Sequence, residues 1–492
     1  MLQETGSEAN SEYRFWHPLT QEVAYGSLLA DRRRRLHAAV AGALADLDPA
    51  RNDERAALIA SHYAGAGADL DHARWEERAA GWSQRRDFSD AVERWRNVLT
   101  ILAGLAESDE TIRLGVRVRA QLLRTGARIG LPADETDRYF AEAEALEQRL
   151  PDPPFRAPLY IGRGAQQFIR GEIGNARLSY EEATRLASET VDTALTVTTS
   201  AGAVYLQCVT ARPDALSYLD GIEEKCRGDF DLGARHVGCS PLIGVMRYRG
   251  ELLALGGRLT EARAESDRAL DLARERAQTE IVPWVLADLA RLAELTGEAG
   301  DDAADRAAAA VAATDDSGNI FVQVIAHHAV GVAELVTGRP EGAEAALIRA
   351  LARARTHGAG LFQEGYLLAH LAAARLAKGD PGSARRCADE ALEVSRRQGA
   401  PMVECFCLLT RARVLRAFGA EAHAHMLADV EAGSALAADL GAVTYGAFLV
   451  EERARLLDDH DGLREALRRY QQIGATGHAR RLEAERSPRA IR

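Results

Sequence analysis

The chain has 492 residues and a formal net charge of −12, with 61 Lys and Arg against 73 Asp and Glu. That balance argues against a nucleic-acid binder, which would carry a basic footprint to hold phosphates. Hydrophobic residues make up 47% but aromatics only 6%. The apolar material is mostly Ala and Leu, residues that favour helix over sheet, so the composition predicts an all-α protein.

Residues 1–12 are polar and acidic, lack the apolar centre of a signal peptide, and are expected to be a disordered tail. Tyr13, Phe15 and Trp16 then form an aromatic run closed by Pro18. Pro18 disfavours helix at His17 and suits the first turn of a new helix. Leu19, Val23, Ser27 and Leu28 recur at three- and four-residue steps, which predicts an amphipathic helix. Arg32, Arg33, Arg34 and Arg35 follow, before Leu36, Val40 and Leu44 mark a second helix. The arginine run reads as a solvated face or as a patch for an acidic partner. His37 reads as a helix residue. His17 lies at a strand-like approach to a helix, where its side chain can be aimed at a neighbour.

Residues 50–150 read as a first helical module. Trp75 and Trp82 lie seven apart on one predicted face and are expected as core anchors. PDPPFRAP, residues 151–158, holds four of the 14 prolines and reads as a linker between modules. Beyond it the chain repeats. Gly257, Gly297, Gly338, Gly379 and Gly419 are spaced 40 or 41 apart, and Gly318, Gly358, Gly399 and Gly441 interleave with them at 40 to 42. Two interleaved series of turns at one period place a single helix between each pair, so each repeat is a helical hairpin. Gly164, Gly250 and Gly331 each precede an alanine by twelve residues (Ala176, Ala262, Ala343), and each alanine is followed seven later by another. Small residues there would let the two helices of a hairpin approach closely. Roughly eight hairpins are expected over residues 159–486, the last helices acting as a cap, with a frayed tail at 487–492.

No reaction chemistry is encoded in a recognisable motif. A phosphate-binding loop ends in Lys-Ser or Lys-Thr, whereas Lys225 is followed by Cys and Lys378 by Gly. His327-His328 and the pair His423 and His425 have poor spacing for one helix face and read as ordinary helix residues. Cys208, Cys226, Cys239, Cys387, Cys405 and Cys407 show no finger or disulfide spacing, so reduced thiols and a cytoplasmic setting are expected. No apolar run approaches membrane-spanning length. No cofactor, metal site or catalytic residue is expected.

Two resemblances complete the reading. The small-residue spacing resembles the tetratricopeptide repeat, although that repeat has a period of about 34 residues and its aromatic and proline positions are mostly missing here. Stacked hairpins of this type imply a solenoid with a concave surface. The segment from Tyr13-Arg14-Phe15 through His17-Pro18-Leu19-Thr20-Gln21-Glu22-Val23-Ala24-Tyr25-Gly26-Ser27-Leu28-Leu29 to Arg33-Arg34 and Leu36-His37 resembles a part of large bacterial signalling ATPases of the STAND or AAA-like type. Those are often linked to class III adenylate or guanylate cyclases. The resemblance implies that residues 13–49 are a winged-helix remnant in front of a TPR-like solenoid. It implies a nucleotide-sensing role for His17 and a partner-binding role for Tyr13, Phe15, Trp16 and Arg32 to Arg35, with an ATPase or cyclase domain as the partner. The function expected is a non-catalytic regulatory and interaction region, not an enzyme. The alternatives are a subunit completing a separately encoded ATPase or cyclase, or a truncated gene product.

Overall fold

The computed structural model describes residues 2–4, 13–84, 86–151, 155–210, 215–298, 301–314 and 318–486. The chain divides into two compact units, 1–86 with 90–118, and 87–89 with 119–492.

In the first unit, strand β1 (Leu2–Glu4) pairs antiparallel with β2 (Tyr13–Phe15), placing Leu2 opposite Phe15 and Glu4 opposite Tyr13. This corrects the expectation of a wholly disordered tail over residues 1–12. Composition reports local preference, whereas strand pairing is a property of two segments together; the rest of that tail lies outside the described residues. Helices α1 (Pro18–Gly26), α2 (Ala30–Leu47), α3 (Asn52–Ala66), α4 (Asp69–Ser83), α5 (Phe88–Ala103) and α6 (Asp109–Ile129) follow. Gly67, at φ +68°, ends α3 in the left-handed conformation that glycine adopts freely. The aromatic anchor of this core is Trp95, 1% exposed. Trp75 and Trp82 are half-buried instead, each beneath an arginine: Arg78 lies 5.1 Å from the Trp75 ring and Arg86 5.5 Å from that of Trp82. A seven-residue spacing fixes a shared face and leaves open whether that face points inward.

The second unit takes in the end of α6 and then α7 (Ala133–Glu147). Hairpins follow: α8 (Arg156–Ile169) with α9 (Ile173–Ser188), α10 (Thr193–Thr210) with α11 (Ala215–Cys226), and, after the short α12 (Ala234–Val237), α13 (Pro241–Leu255) with α14 (Leu259–Glu275). Next come α15 (Ile281–Thr296) with α16 (Asp301–Ala312), α17 (Ile320–Val336) with α18 (Pro340–His357), and α19 (Glu364–Ala377) with α20 (Pro381–Gln398). Then α21 (Pro401–Leu415) pairs with α22 (His423–Asp439) and α23 (Val443–Leu456) with α24 (His460–Ile473), before α25 (Thr476–Arg486) closes the unit. The expected all-α, TPR-like solenoid of helical hairpins is therefore present, and residues 487–492 lie outside the described part. The glycines do what their spacing implied. A Cβ on Gly331 would sit 2.5 Å from Leu347 Cγ, so only glycine lets α17 and α18 close to this distance.

The linker expected at 151–158 is not a free spacer at its C-terminal end. The Phe155 N–H donates to the Glu147 carboxylate at 2.9 Å, and α8 already begins at Arg156, with Pro158 in its first turn. Proline is tolerated there because the first N–H groups of a helix have no helical acceptor. Residues 152–154 lie outside the described part. The two units part near Val118, within the module expected over 50–150.

The first helix of each hairpin differs from the second. Helix α14 buries one stripe, Leu259, Ala262, Ser266, Ala269, Leu270 and Ala273. In α13 everything except Gly244, Arg249 and Glu251 is buried. Helices apolar on all sides are covered on all sides, and the cover comes from later repeats. The Thr444 hydroxyl of α23 donates to the Ala254 carbonyl of α13 at 2.5 Å. Phe168 of α8 lies 4.4 Å from Phe362, just before α19. The solenoid thus winds back on itself, and its inner helices fill the lumen behind the concave surface that was expected.

Candidate functional site

The N-terminal residues singled out by sequence are placed as follows. His17 is extended (φ −139°, ψ 135°) and caps α1, its Nδ1 accepting the Leu19 N–H at 3.2 Å. Pro18 holds the first helical position, where its lack of an N–H leaves no bond unmade. Trp16 is 76% exposed. Of Tyr13 and Phe15 the backbone is described but not the side chains. Arg32, Arg34 and Arg35 are exposed, while Arg33 lies over the Tyr25 ring at 5.2 Å. Helix α1 buries none of its residues and α2 only Ala41. The apolar side chains Leu19, Val23 and Leu29 are 62%, 71% and 80% exposed. A polar chain ties this segment to α3: the Tyr25 hydroxyl meets His37 Nε2 at 2.8 Å, and His37 Nδ1 meets His62 Nδ1 at 3.0 Å. With His37 donating from Nδ1, its Nε2 is free to accept from Tyr25. Burial, then the His37 charge, lowers the His62 pKa, which suits an accepting Nδ1.

A second constellation, not found by motif, lies in the lumen of the solenoid. Asp288, Arg291 and Glu294 recur at three-residue steps and so share one face of α15, and Tyr366 and His370, four apart, share a face of α19. Arg247 of α13 is 5% exposed and meets Asp288 at 2.6 Å and Glu251 at 3.4 Å. Its guanidinium lies 4.3 Å from the Trp284 ring and 4.5 Å from that of Tyr248. Burial lifts the Asp288 carboxyl above the usual range even against the arginine. Glu294 meets His370 Nε2 at 3.1 Å. Burial pushes the Glu294 carboxyl up, but His370, with Arg291 and Arg413, outweighs it and holds the group below its ordinary pKa.

His328, read from sequence as an ordinary helix residue, is 1% exposed and contacts His370 Nδ1 at 3.0 Å through Nε2. Burial, then the charges of His370 and Arg291, hold it well below its ordinary pKa, so it is neutral. Phe406 lies 4.9 Å from His370, 5.4 Å from Tyr366 and 5.5 Å from Tyr445. A cavity of about 40 Å³ remains among Glu251, Arg291, Glu294, Tyr366, Phe406 and Tyr445. A second, mostly apolar cavity of about 50 Å³ lies between α8, α10 and α13.

Three of the described thiols are poor nucleophiles. Burial pushes the Cys239, Cys405 and Cys407 thiols up to about 12, so the reactive thiolate is scarce at neutral pH. Cys405 and Cys407 point to different faces as their spacing required, donating to Gly433 and Gly365 carbonyls respectively. Among the described residues no cluster of His, Cys, Asp and Glu could hold a metal ion, and no helix is long and apolar enough to cross a membrane.

No protein-family model matches the sequence, and no curated protein does. Solved structures similar to it include a Rap protein complexed with competence and sporulation factor, at 14% identity over 85% of this chain and 95% of that one, with a TM-score of 0.39. The hetero-tetramer Cut9–Hcn1 of the APC/C is another, at 13% identity over 95% and 99% of the two chains and a TM-score of 0.44. A STAND protein with a tetratricopeptide repeat sensor from Pyrococcus horikoshii aligns at 14% identity over 76% of this chain and 53% of its own, with a TM-score of 0.37. At these values the likeness assigns no ligand or partner to the present chain.

Proposed function

We propose that the chain is a non-catalytic, cytoplasmic regulatory and protein-interaction region of a STAND-type ATPase signalling system, and that its N-terminal segment docks the ATPase core. The observation that supports this most is the set of exposed apolar side chains on and beside α1. Trp16, Leu19, Val23 and Leu29 are exposed, and so are Arg32, Arg34 and Arg35, which follow them in the chain. Exposed apolar groups mark interaction surfaces where they cluster, and the nearby arginines in the chain favour an acidic partner. The same segment carries the resemblance to the end of the winged-helix part of those ATPases, where the core lies alongside.

The test uses the full chain and the variant Val23→Asp/Leu29→Asp, neither residue being buried. Each is titrated against a purified STAND-type ATPase core and, in a second arm, a class III cyclase domain, by calorimetry. Binding to the ATPase core that weakens at least tenfold in the variant supports the reading. A full chain that is monomeric by light scattering and binds neither domain overturns it.

A further inference from the structure

Among the described residues, Arg291 differs from the lumen arginines Arg247 and Arg413 in having no ion-pair partner. Arg247 has two carboxylates, and Arg413 is paired with Glu452 at 2.9 Å. Arg291 makes no ion pair and no hydrogen bond with the described residues; its Nε is sealed from solvent without an acceptor, and its guanidinium lies over the Tyr366 ring at 5.0 Å. A guanidinium has five N–H donors, and leaving one unmet where solvent cannot reach it is unfavourable. The sealed Nε lacks an acceptor, and the side chain lines the cavity of about 40 Å³.

The walls restrict what can fill that space. Glu251, Asp288 and Glu294 line it together with Arg291. Asp288 is held by Arg247 and Glu294 by His370, while Glu251 has only the longer contact to Arg247 at 3.4 Å. A simple anion would satisfy Arg291 but meet three carboxylates. A simple cation would meet the guanidinium. A small molecule bearing both charges on neighbouring atoms satisfies both sides, with its remainder against the rings of Phe406 and Tyr445.

We propose that the lumen cavity at Arg291 binds a small free α-amino acid, its carboxylate on the Arg291 guanidinium and its ammonium group on Glu251. The site is independent of the N-terminal docking face. Small ligands are commonly oriented in a cavity by a few convergent polar groups. A bidentate guanidinium–carboxylate pair supplies both strength and orientation.

Calorimetric titration of the full-length protein with glycine, alanine, serine and the remaining standard amino acids at pH 7.5 tests this. Each responder is compared with its N-acetyl derivative, which lacks the ammonium charge, and its decarboxylated amine, which lacks the carboxylate. The expected result is one-to-one binding by at least one small amino acid, at least tenfold weaker for both analogues. Glu251→Gln should weaken binding at least tenfold, and Arg291→Met should abolish it. Arg291→Lys, which keeps the charge without the fork, should bind more weakly than the parent, and circular dichroism checks that each variant is folded. The proposal is overturned if no amino acid binds, if the N-acetyl derivative binds as well as its parent, or if folded Arg291→Met binds like the unaltered protein. A rise in the melting temperature of Arg291→Met, with no amino acid binding to the unaltered protein, would identify the cavity as water-filled only.

Discussion

Glu147 closes α7 and is 2% exposed. Its carboxylate accepts the Phe155 N–H at 2.9 Å and faces Arg156 at 3.8 Å. Burial nevertheless pushes its pKa from the ordinary 4.5 up to about 7; the hydrogen bond and the arginine offset only part of that. Between these two values the folded protein binds more protons than the unfolded one. The stability linked to this group is therefore complete below pH 4.5 and is lost as pH rises through 7. At about 1.4 kcal/mol for each tenfold change in proton affinity, the full loss is roughly 3 kcal/mol. Glu147→Gln keeps an oxygen for Phe155 and removes the charge. Urea unfolding of both proteins followed at pH 5 and pH 8.5 isolates the effect, since every other titrating group is common to the two. The variant should gain roughly 3 kcal/mol on the parent between those pH values. Parallel pH dependences, or a variant that is weaker at pH 8.5, would refute the argument that a buried carboxylate clamps α7 to α8.

His328 is held well below its ordinary pKa by burial, so its contribution is complete above pH 6.5 and is lost as pH falls; His328→Gln should flatten the fall of the melting temperature between pH 7 and pH 5. Gly331→Ala, whose Cβ would lie 2.5 Å from Leu347 Cγ, should destabilise by about 1–3 kcal/mol in chemical denaturation. Gly244→Ala is its control, because a Cβ there meets nothing within 4 Å; it should be neutral or gain up to about 1 kcal/mol from helix propensity. Thr444→Val removes the bond from α23 to the Ala254 carbonyl and should cost about 1 kcal/mol, read by the same assay.

The helical repeats were legible because the property that builds them is local and periodic. The interleaved glycines, at 40 to 42 residues, sit where the structure turns, and Gly331 and Gly250 lie where neighbouring helices touch. What local pattern does not carry is which of two apolar faces is covered, and by what. Trp75 and Trp82 were expected in the core and are half-buried, whereas Trp95 takes that place. The lumen residues were missed for the same reason. Asp288, Arg291 and Glu294 look like the charged positions of any helix, and His370 and Glu294 are 76 residues apart. One signal was present. Ile320–Val336 reads IFVQVIAHHAVGVAELV, with Glu334 as its one acid and no lysine or arginine. A helix so free of charge on every side is a buried one, and alternating such helices with charged ones predicts a filled lumen.

That filling bears on where partners can bind. An open solenoid presents the inner faces of its first helices to a peptide. Here those faces are spent on one another, with Phe168 against Phe362, Tyr366 against Phe406 and Phe406 against Tyr445. A peptide could enter only by displacing these rings, and fully burying a side chain of this kind stabilises by about 1.5–3 kcal/mol relative to leaving it exposed. The interior thus suits a ligand small enough for the space left at Arg291, while a protein partner is directed to surface already in water. The segment from Trp16 to Leu29 is such a surface, and it needs no rearrangement of the repeats. The proposed interior site for a small molecule and the proposed exterior site for a protein use different residues, so both could be occupied at once, and a coupling between them would show as a change in the affinity of one on filling the other.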